Sequence, residues 1–345
     1  DDTPYKDKIG GGLFFFNGTT GKYGSIKEFN AAIDRNMPCN IATLVGHCSA
    51  RASVSGYESR KLSAQEEEKM LGILEDNLRD GAAGVSLGLM YEPGLYADTE
   101  ELKKVVKLCC KYNKPLTVHP RAESKVSMSY DSLFGRSHLL RAEDELVEFV
   151  AIQNSLRENG VDAMFDIYNE TLGVSVITVV LPVWYQGMSK EERKKPLNKL
   201  KLSVLIKATS ILLGFGFKDI QIAYIGPGYE KYEGKTVHEI AKENGKSDLD
   251  MYLQLCEESD FKGRVNMGPY STPEIIREFE HNPNCLYMTD AWVEDFGVQN
   301  PAIYDCYPKF LRDSLRGTGD TLPNTVRRMT GATADRFMLK DRGYV

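Results

Sequence analysis

The sequence predicts an α/β protein in which helices cover a parallel β-sheet. Between residues 40 and 120 the chain alternates strand, helix, strand, helix, strand; the strands are apolar along their length, and the helices begin with capping residues. Such strands are joined by right-handed crossovers into a doubly wound sheet or a barrel. No GxGxxG sequence follows the first strand and no GxxxxGK[ST] sequence occurs, which weighs against a nucleotide-binding sheet. The sequence therefore favours a barrel.

The first five elements follow from apolar and capping patterns. Residues 40–47, "NIATLVGH", are predicted to form a buried strand. A helix is then predicted to begin at Ser63, because Ser63 and Glu66 have capping-box spacing, and to end at Gly81. Its predicted buried face consists of Met70, Leu71, Leu74 and Leu78. A strand over 82–90, a helix capped by Asp98 and a strand over 114–119 complete the series.

Later elements are shorter. Strands are predicted at "DAMFDIY" (162–168), "DIQIAYI" (219–225), "GRVNMG" (263–268) and "CLYMTD" (285–290). Helices are predicted to begin at Thr236 and Thr272, and two short helices to turn at Gly331. From His138 to Asn159 the pattern reads as one unbroken helix, where a barrel would alternate helix and strand. Either the barrel is irregular there or a strand is missing from the chain.

Composition excludes several classes of function. The net charge of -6 and the pI near 5.6 argue against binding nucleic acid or an anionic membrane. The longest apolar run, residues 174–184, has about half of the ~20 residues that a membrane-spanning helix needs. No secretory signal is visible at the amino terminus, and the seven cysteines lack CxxC spacing, so free thiols in a reducing compartment, the cytoplasm, are expected.

Three predicted strands end in residues suited to chemistry: His47, His119 and Asp290. In a barrel all three would face one mouth, where imidazole and carboxylate groups can bind a divalent metal or move a proton. Taken singly, a histidine at a strand end is commonly a hydrogen-bonded structural residue, and an aspartate before a turn is commonly a cap.

Four segments resemble successive parts of the N-acyl-D-amino-acid deacylase (D-aminoacylase) family of the amidohydrolase superfamily. They are "NIATLVGHCSARASVSG", the block from Asp76 to Glu123, "YEGKTVHEIAKENG" and "MTGATADRFMLKDRG". The resemblance extends from about Gly24 to Gly343. It implies a (β/α)8 TIM-type barrel of the amidohydrolase kind as a single domain over residues 1–345, with zinc at its mouth and a small-molecule substrate whose linear amide is hydrolysed.

The resemblance also implies roles for individual residues. His119 matches a His-x-Arg sequence and would ligate zinc, and Asp290 would be the acid and base that shuttles a proton. Tyr91 and Arg121 would belong to the substrate pocket. His47 matches a family Gly-His pair with a structural or pocket-shaping role.

The chain departs from the family in ways that leave alternatives open. It contains no His-x-His, it begins after the region where that sequence and a cysteine ligand would lie, and a second strand-end histidine and the small β-sandwich are missing. The barrel is therefore expected to be incomplete here, either because the chain is part of a longer protein or because it is a degenerate, metal-free barrel with a binding or scaffold role. Hydrolysis of a cyclic amide is a further alternative, and the sequence does not indicate an oligomeric state.

Overall fold

The computed structural model describes residues 16–17, 22–23, 25–32, 42–89, 92–119, 154–269, 271–290 and 294–344. The chain divides into two compact units, Asp1–Glu123 with Ala334–Lys340 and Ser124–Thr333 with Asp341–Val345. Each is described by itself below. The expectation of a single barrel domain over residues 1–345 stays a prediction.

The first unit is built on a parallel sheet. Two short antiparallel strands, β1 (Phe16–Asn17) and β2 (Lys22–Tyr23), and helix α1 (Ile26–Ala32) precede it. The sheet has the order β3 (Leu44–Gly46), β4 (Gly84–Gly88), β5 (Leu116–His119), with every pair parallel. These are the three strands predicted between residues 40 and 120. Because they are parallel, their carboxyl ends lie along one edge.

Helices α2 (His47–Ser55), α3 (Ala64–Arg79) and α4 (Thr99–Tyr112) lie between these strands in the chain. The predicted capping box of α3 is present: Ser63 Oγ accepts from the Glu66 amide at 3.3 Å, and Glu66 Oε2 accepts from the Ser63 amide at 2.8 Å. Asp98 likewise accepts from the Glu101 amide at 2.9 Å. The core of this unit includes Val45, Met70, Leu74, Leu78, Val85, Leu87, Val105, Leu108 and Cys109. Burial raises the pKa of the Cys109 thiol to about 12, as expected for a packing residue.

The second unit contains two small sheets. Strands β6 (Phe165–Ile167) and β10 (Cys285–Tyr287) form a parallel pair. Strands β7 (Gly173–Val176), β8 (Ile220–Tyr224) and β9 (Arg264–Met267) form an antiparallel sheet in which β9 lies in the middle. The core behind this sheet includes Ile220, Ile222, Met251, Tyr252, Leu255, Val265 and Met267.

The antiparallel sheet corrects one expectation. Residues 219–225 and 263–268 form strands as predicted, but β8 and β9 run in opposite directions, whereas neighbouring barrel strands are parallel. Two helices, α8 (Val237–Glu243) and α9 (Asp248–Glu258), join them. Here the connection returns the chain to the end of the sheet that it left, whereas the two helices between β3 and β4 carry it to the opposite end.

The remaining helices follow the predicted capping residues. Thr236 caps α8, Thr272 caps α10 (Pro273–Glu280), and two short helices turn at Gly331. The other helices described are α5 (Val183–Gln186), α6 (Lys190–Arg193), α7 (Pro196–Leu213), α11 (Ala302–Arg316), α12 (Leu322–Met329) and α13 (Gly331–Arg336). Over the residues given above, none of these helices has the length and apolarity required to span a membrane. Of the helix predicted from His138 to Asn159, residues 138–153 lie outside the described residues, and 154–158 are helical.

A buried carboxyl group closes helix α10. Glu280 is 1% exposed, and its backbone carbonyl accepts a hydrogen bond from Arg328 Nη1 of α12. Burial and the nearby Asp313 of α11 raise the pKa of Glu280 to about 7, although the positive charges of His281, Arg277 and Arg328 oppose that shift. At neutral pH this carboxyl group therefore titrates inside the fold.

Replacing Glu280 by glutamine is expected to reduce the pH dependence of stability. Because the carboxyl pKa is raised from 4.5 to about 7 on folding, its contribution is most favourable below pH 4.5 and is lost as the pH rises through 7. The unfolding free energy of the Glu280→Gln variant, measured by urea denaturation from pH 5 to pH 8, should fall less steeply with pH. Glu278→Gln, an exposed change on the same helix, should keep the slope of the unmodified protein. Equal slopes for all three proteins would contradict the assignment.

Candidate active site

The carboxyl edge of the β3–β4–β5 sheet gathers residues that the sequence singled out. His47 follows β3 directly, and His119 is the last residue of β5, paired in register with Gly88 of β4. The Leu89 amide donates to the carbonyl of His119 at 3.0 Å, so β4 and β5 stay paired to their ends. His119 is half-buried. This is the edge at which parallel α/β proteins place functional residues.

His47 belongs to a buried group of charges. Its Nε2 lies 2.8 Å from Glu101 Oε1, and the same oxygen accepts a hydrogen bond from Arg51 Nε at 3.1 Å. His47 and Arg51 are fully buried and Glu101 is 4% exposed. Arg51 Nη2 also donates to the carbonyl of Arg60 at 2.8 Å. The group connects the first turn of α2 to the first turn of α4.

The charges in this group shift one another's pKa values. Burial by itself lowers the pKa of His47, but hydrogen bonding to Cys48 and Glu101 outweighs burial and raises it above the ordinary value of 6.5. For Glu101, burial raises the pKa, and the interactions with His47 and Arg51 outweigh it, so the carboxyl pKa is lowered. Glu101 is therefore ionised, with its negative charge opposite the imidazole and the guanidinium.

A tight turn packs over the ends of β3 and β4. Cys48 donates its thiol proton to the Gly88 carbonyl at 3.1 Å, and residues Gly94–Tyr96 form a 3₁₀ turn against this contact. A side chain at position 94 would collide with Cys48 Sγ and the Gly88 carbonyl, so only glycine fits. Tyr96 hydrogen-bonds Glu92, and burial with this contact raises the tyrosine pKa to about 12. Tyr91 and Arg121, the two predicted pocket residues, lie outside the described residues.

Asp290 follows the parallel pair of the second unit. It lies three residues beyond the end of β10, it is exposed, and its φ of 45° places it in the left-handed region. That conformation is uncommon for residues other than glycine and is found disproportionately at functional sites. The Met288 amide donates to the Ile167 carbonyl at 2.9 Å. The segments of β6 and β10 therefore remain paired to Met288, two residues before Asp290.

Two residues that sequence reasoning missed lie beside this second edge. Asn169 follows β6 by two residues and is 2% exposed. Lys309 of α11 donates from Nζ to the Asn169 carbonyl at 2.7 Å and pairs with Glu170 Oε1 at 3.1 Å. Asn169 could have been found from its place after a predicted strand. Lys309 carries no such signal, because it lies in the middle of a helix.

A zinc site needs several ligand side chains close together. Over these residues, His, Cys, Asp and Glu side chains form no group of three or more that could hold a metal ion. His119 and Asp290 belong to different units. The part of the chain that the structure describes therefore does not make up a complete zinc site by itself.

Comparison with known proteins identifies relatives in sequence. No protein-family model matches the chain. It is 31% identical over 325 residues to N-acyl-D-glutamate deacylase and 25% identical over 309 residues to D-aminoacylase, both from Alcaligenes xylosoxydans xylosoxydans. These alignments cover 93% and 89% of this chain but 61% and 58% of the relatives. The chain thus spans about three-fifths of the length of the relatives that it matches.

Solved structures are similar in fold. The crystal structure of N-acyl-D-glutamate deacylase from Bordetella bronchiseptica, complexed with zinc and a phosphonate inhibitor, superposes with a TM-score of 0.67 at 20% identity. The superposition covers 92% of this chain and 62% of that one. A crystal structure of D-aminoacylase, described as defining a novel subset of amidohydrolases, gives a TM-score of 0.69 at 21% identity, covering 93% and 63%. At this level of identity the likeness establishes the fold alone, which is mixed α/β.

Replacing Glu101 by glutamine is expected to destabilise the first unit. The change leaves His47 and Arg51 buried without a negative partner, which costs on the order of 3 kcal/mol. It should also lower the pKa of His47, measured by NMR titration of the imidazole, because a raised pKa depends on the carboxylate. In the unmodified protein the contribution of the His47–Glu101 contact to stability is complete between pH 4.5 and pH 6.5. It is lost as the pH rises through the raised pKa of His47 or falls through the lowered pKa of Glu101.

Glu100→Gln is the matched control, because Glu100 is exposed on the same helix. It should leave both the unfolding free energy and the His47 pKa nearly unchanged. A Glu101→Gln variant as stable as the control would show that the buried group contributes nothing to the fold.

Proposed function

Because this chain belongs to the N-acyl-D-amino-acid deacylase family of amidohydrolases, we propose that the protein containing it hydrolyses the linear amide bond of N-acyl-D-amino acids. The observation that carries the proposal is the 31% identity to N-acyl-D-glutamate deacylase over 93% of the chain. This chain spans about three-fifths of the length of its relatives. The activity is therefore proposed for the whole protein that contains the chain. The proposed substrate is a small molecule and the proposed location is the cytoplasm.

The proposed architecture is a (β/α)8 barrel of which this chain contributes part. The parallel strands of both units would belong to it, and their carboxyl edges carry His119 and Asp290. The proposed metal is zinc, with His119 as one ligand and further ligands supplied from outside the described residues. The solved D-aminoacylase relatives support a metal, because one is described by its binuclear metal centre and another as a complex with copper chloride. A zinc ion supplies Lewis acidity for the carbonyl and a more acidic water.

Asp290 is proposed as the group that moves the proton. Its carboxylate would take a proton from the attacking water and deliver it to the leaving nitrogen, so that the amine departs as a neutral group. Its position after a parallel strand, its exposure and its left-handed backbone support this role. Tyr91 and Arg121 are proposed to bind the substrate. The buried contact between His47 and Glu101 supports a structural role for His47, which holds α2 against α4.

Two other functions follow if parts of this proposal fail. A metal-free barrel would act as a binding or scaffold protein, and it would bind N-acyl amino acids without cleaving them. An amidohydrolase for cyclic amides would use the same residues on a ring substrate, since substrate choice resides in loops rather than in the fold. A hydrolysis assay with N-acetyl-D-amino acids and cyclic amides, read by release of free amine or opening of the ring, separates the three.

Replacing Asp290 by asparagine in the full-length protein should lower kcat for N-acetyl-D-amino acids by about 100-fold or more, because general acid and base catalysis typically contributes this much. KM should change little. Asp305→Asn, on the surface of α11, serves as the control and should retain full activity. If the Asp290 variant keeps its kcat, the proton is carried by another group.

Zinc content tests the role of His119 separately. Elemental analysis of the full-length protein should find about one or two zinc ions per chain, since one D-aminoacylase structure is described by a binuclear metal centre with one-metal activation. His119→Ala should reduce that content, whereas His238→Ala, an exposed histidine paired with Asp248, should not. Equal zinc in the two variants would remove His119 from the ligand set.

A further inference from the structure

Asn169 lies just beyond β6, at the same edge of the parallel pair as Asp290. It follows β6 by two residues, and Asp290 follows β10 by three, and these strands are adjacent and parallel. Neighbouring strands are about 4.8 Å apart, so the segments that leave them start side by side. Asn169 therefore lies next to the segment that leads to the proposed acid and base.

The backbone around Asn169 is held firmly by α11. Lys309 Nζ binds the Asn169 carbonyl at 2.7 Å, and one turn earlier the Cys306 thiol donates to the Met288 carbonyl at 3.0 Å. One helix thus fixes both segments that leave the parallel pair. The position of the Asn169 side chain is set by contacts of its backbone rather than by contacts of its amide.

The amide of Asn169 itself is unsatisfied. The residue is 2% exposed, and neither Nδ2 nor Oδ1 has a hydrogen-bond partner within the described ranges. Buried polar groups are nearly always paired, because an unpaired one lowers stability. Asn266 is equally buried but only half unpaired: its Oδ1 also has no partner within the described ranges, whereas its Nδ2 lies 3.4 Å from both Gln221 Oε1 and the Val298 carbonyl. A group that is left unpaired beside a catalytic edge is available to a ligand.

We propose that the side-chain amide of Asn169 binds the acylamino group of the substrate. This inference rests on the proposed function and adds a specificity-determining residue to it. The amide offers one donor, Nδ2–H, and one acceptor, Oδ1, and a secondary amide offers the matching carbonyl oxygen and N–H. A carboxylate is a poorer match, since it offers acceptors alone and would face Oδ1 unfavourably. Because Asn169 is 2% exposed, its amide is already removed from water, and pairing it with the substrate amide needs little further desolvation.

The test uses the full-length protein with N-acetyl-D-glutamate and measures kcat/KM together with the unfolding temperature. Asn169→Leu keeps the approximate volume but removes the unpaired polar atoms. It should lower kcat/KM about tenfold, the effect of losing roughly one hydrogen bond, while the unfolding temperature stays the same or rises. Asn169→Asp, which cannot donate, should show a similar loss of kcat/KM.

The control is Asn266→Leu, which removes an amide whose Nδ2 is paired and which lies away from the edge. It should lower the unfolding temperature and leave kcat/KM unchanged. The proposal is overturned if Asn169→Leu leaves kcat/KM unchanged, or if a fall in kcat/KM comes with a lower unfolding temperature. The second result would mean that the amide is structural, paired through a buried water.

Failure of this proposal and failure of the proposed function are distinguishable. If the unmodified protein hydrolyses none of the N-acetyl-D-amino acids, the deacylase proposal fails, and calorimetric binding of N-acetyl-D-glutamate then tests Asn169 alone. Weaker binding by Asn169→Leu than by the unmodified protein supports the inference. Equal binding by the two proteins, or no binding by either, overturns it.

Discussion

The first unit depends on one carboxylate oxygen. Glu101 Oε1 is hydrogen-bonded to both His47 Nε2 and Arg51 Nε in the interior. Each of these hydrogen bonds connects α2 to α4. Buried charges are tolerated only when they are paired, so the two helices must meet in this register for the group to form. That register fixes where β3 ends, because His47 follows the strand directly, and it brings Cys48 against Gly88 at the end of β4. The carboxyl edge on which His119 lies is thus positioned by an ion pair in its supporting helices.

In the second unit, helix α11 positions the segments that carry Asn169 and Asp290. Lys309 and Cys306 of α11 bind backbone carbonyls of the two segments that leave β6 and β10. Behind them Tyr287 stacks on Phe310 with ring centroids 3.8 Å apart, and this contact fixes α11 against the parallel pair. Because the backbone is held in this way, the structure can accept a left-handed conformation at Asp290 and an unpaired amide at Asn169.

The elements that sequence predicted well are those with local signals. The capping boxes at Ser63 and Thr236 and the turn at Gly331 depend on residues within one turn of each other, and all were predicted. Strand direction was predicted wrongly at β9, because it depends on the end of the sheet to which the connection between β8 and β9 returns the chain, and a short apolar run does not encode that end. Of the candidate site residues, sequence placed His119 and Asp290 at strand ends but gave no signal for Lys309.

The sequence by itself determined the α/β class, strands β3, β4 and β5 with helices α3 and α4, and the resemblance to the deacylase family. It also placed His47, His119 and Asp290 at or just beyond strand ends, but it did not predict helix α2, which begins at His47. These features are encoded over short distances along the chain, through apolar periodicity, capping and local identity. Only the tertiary structure decided that His47 is paired with Glu101, 54 residues away, and that Asn169 has a buried amide with no partner among the described residues. Both depend on which residues from distant segments meet in the interior, and burial, not sequence spacing, makes those contacts energetically significant.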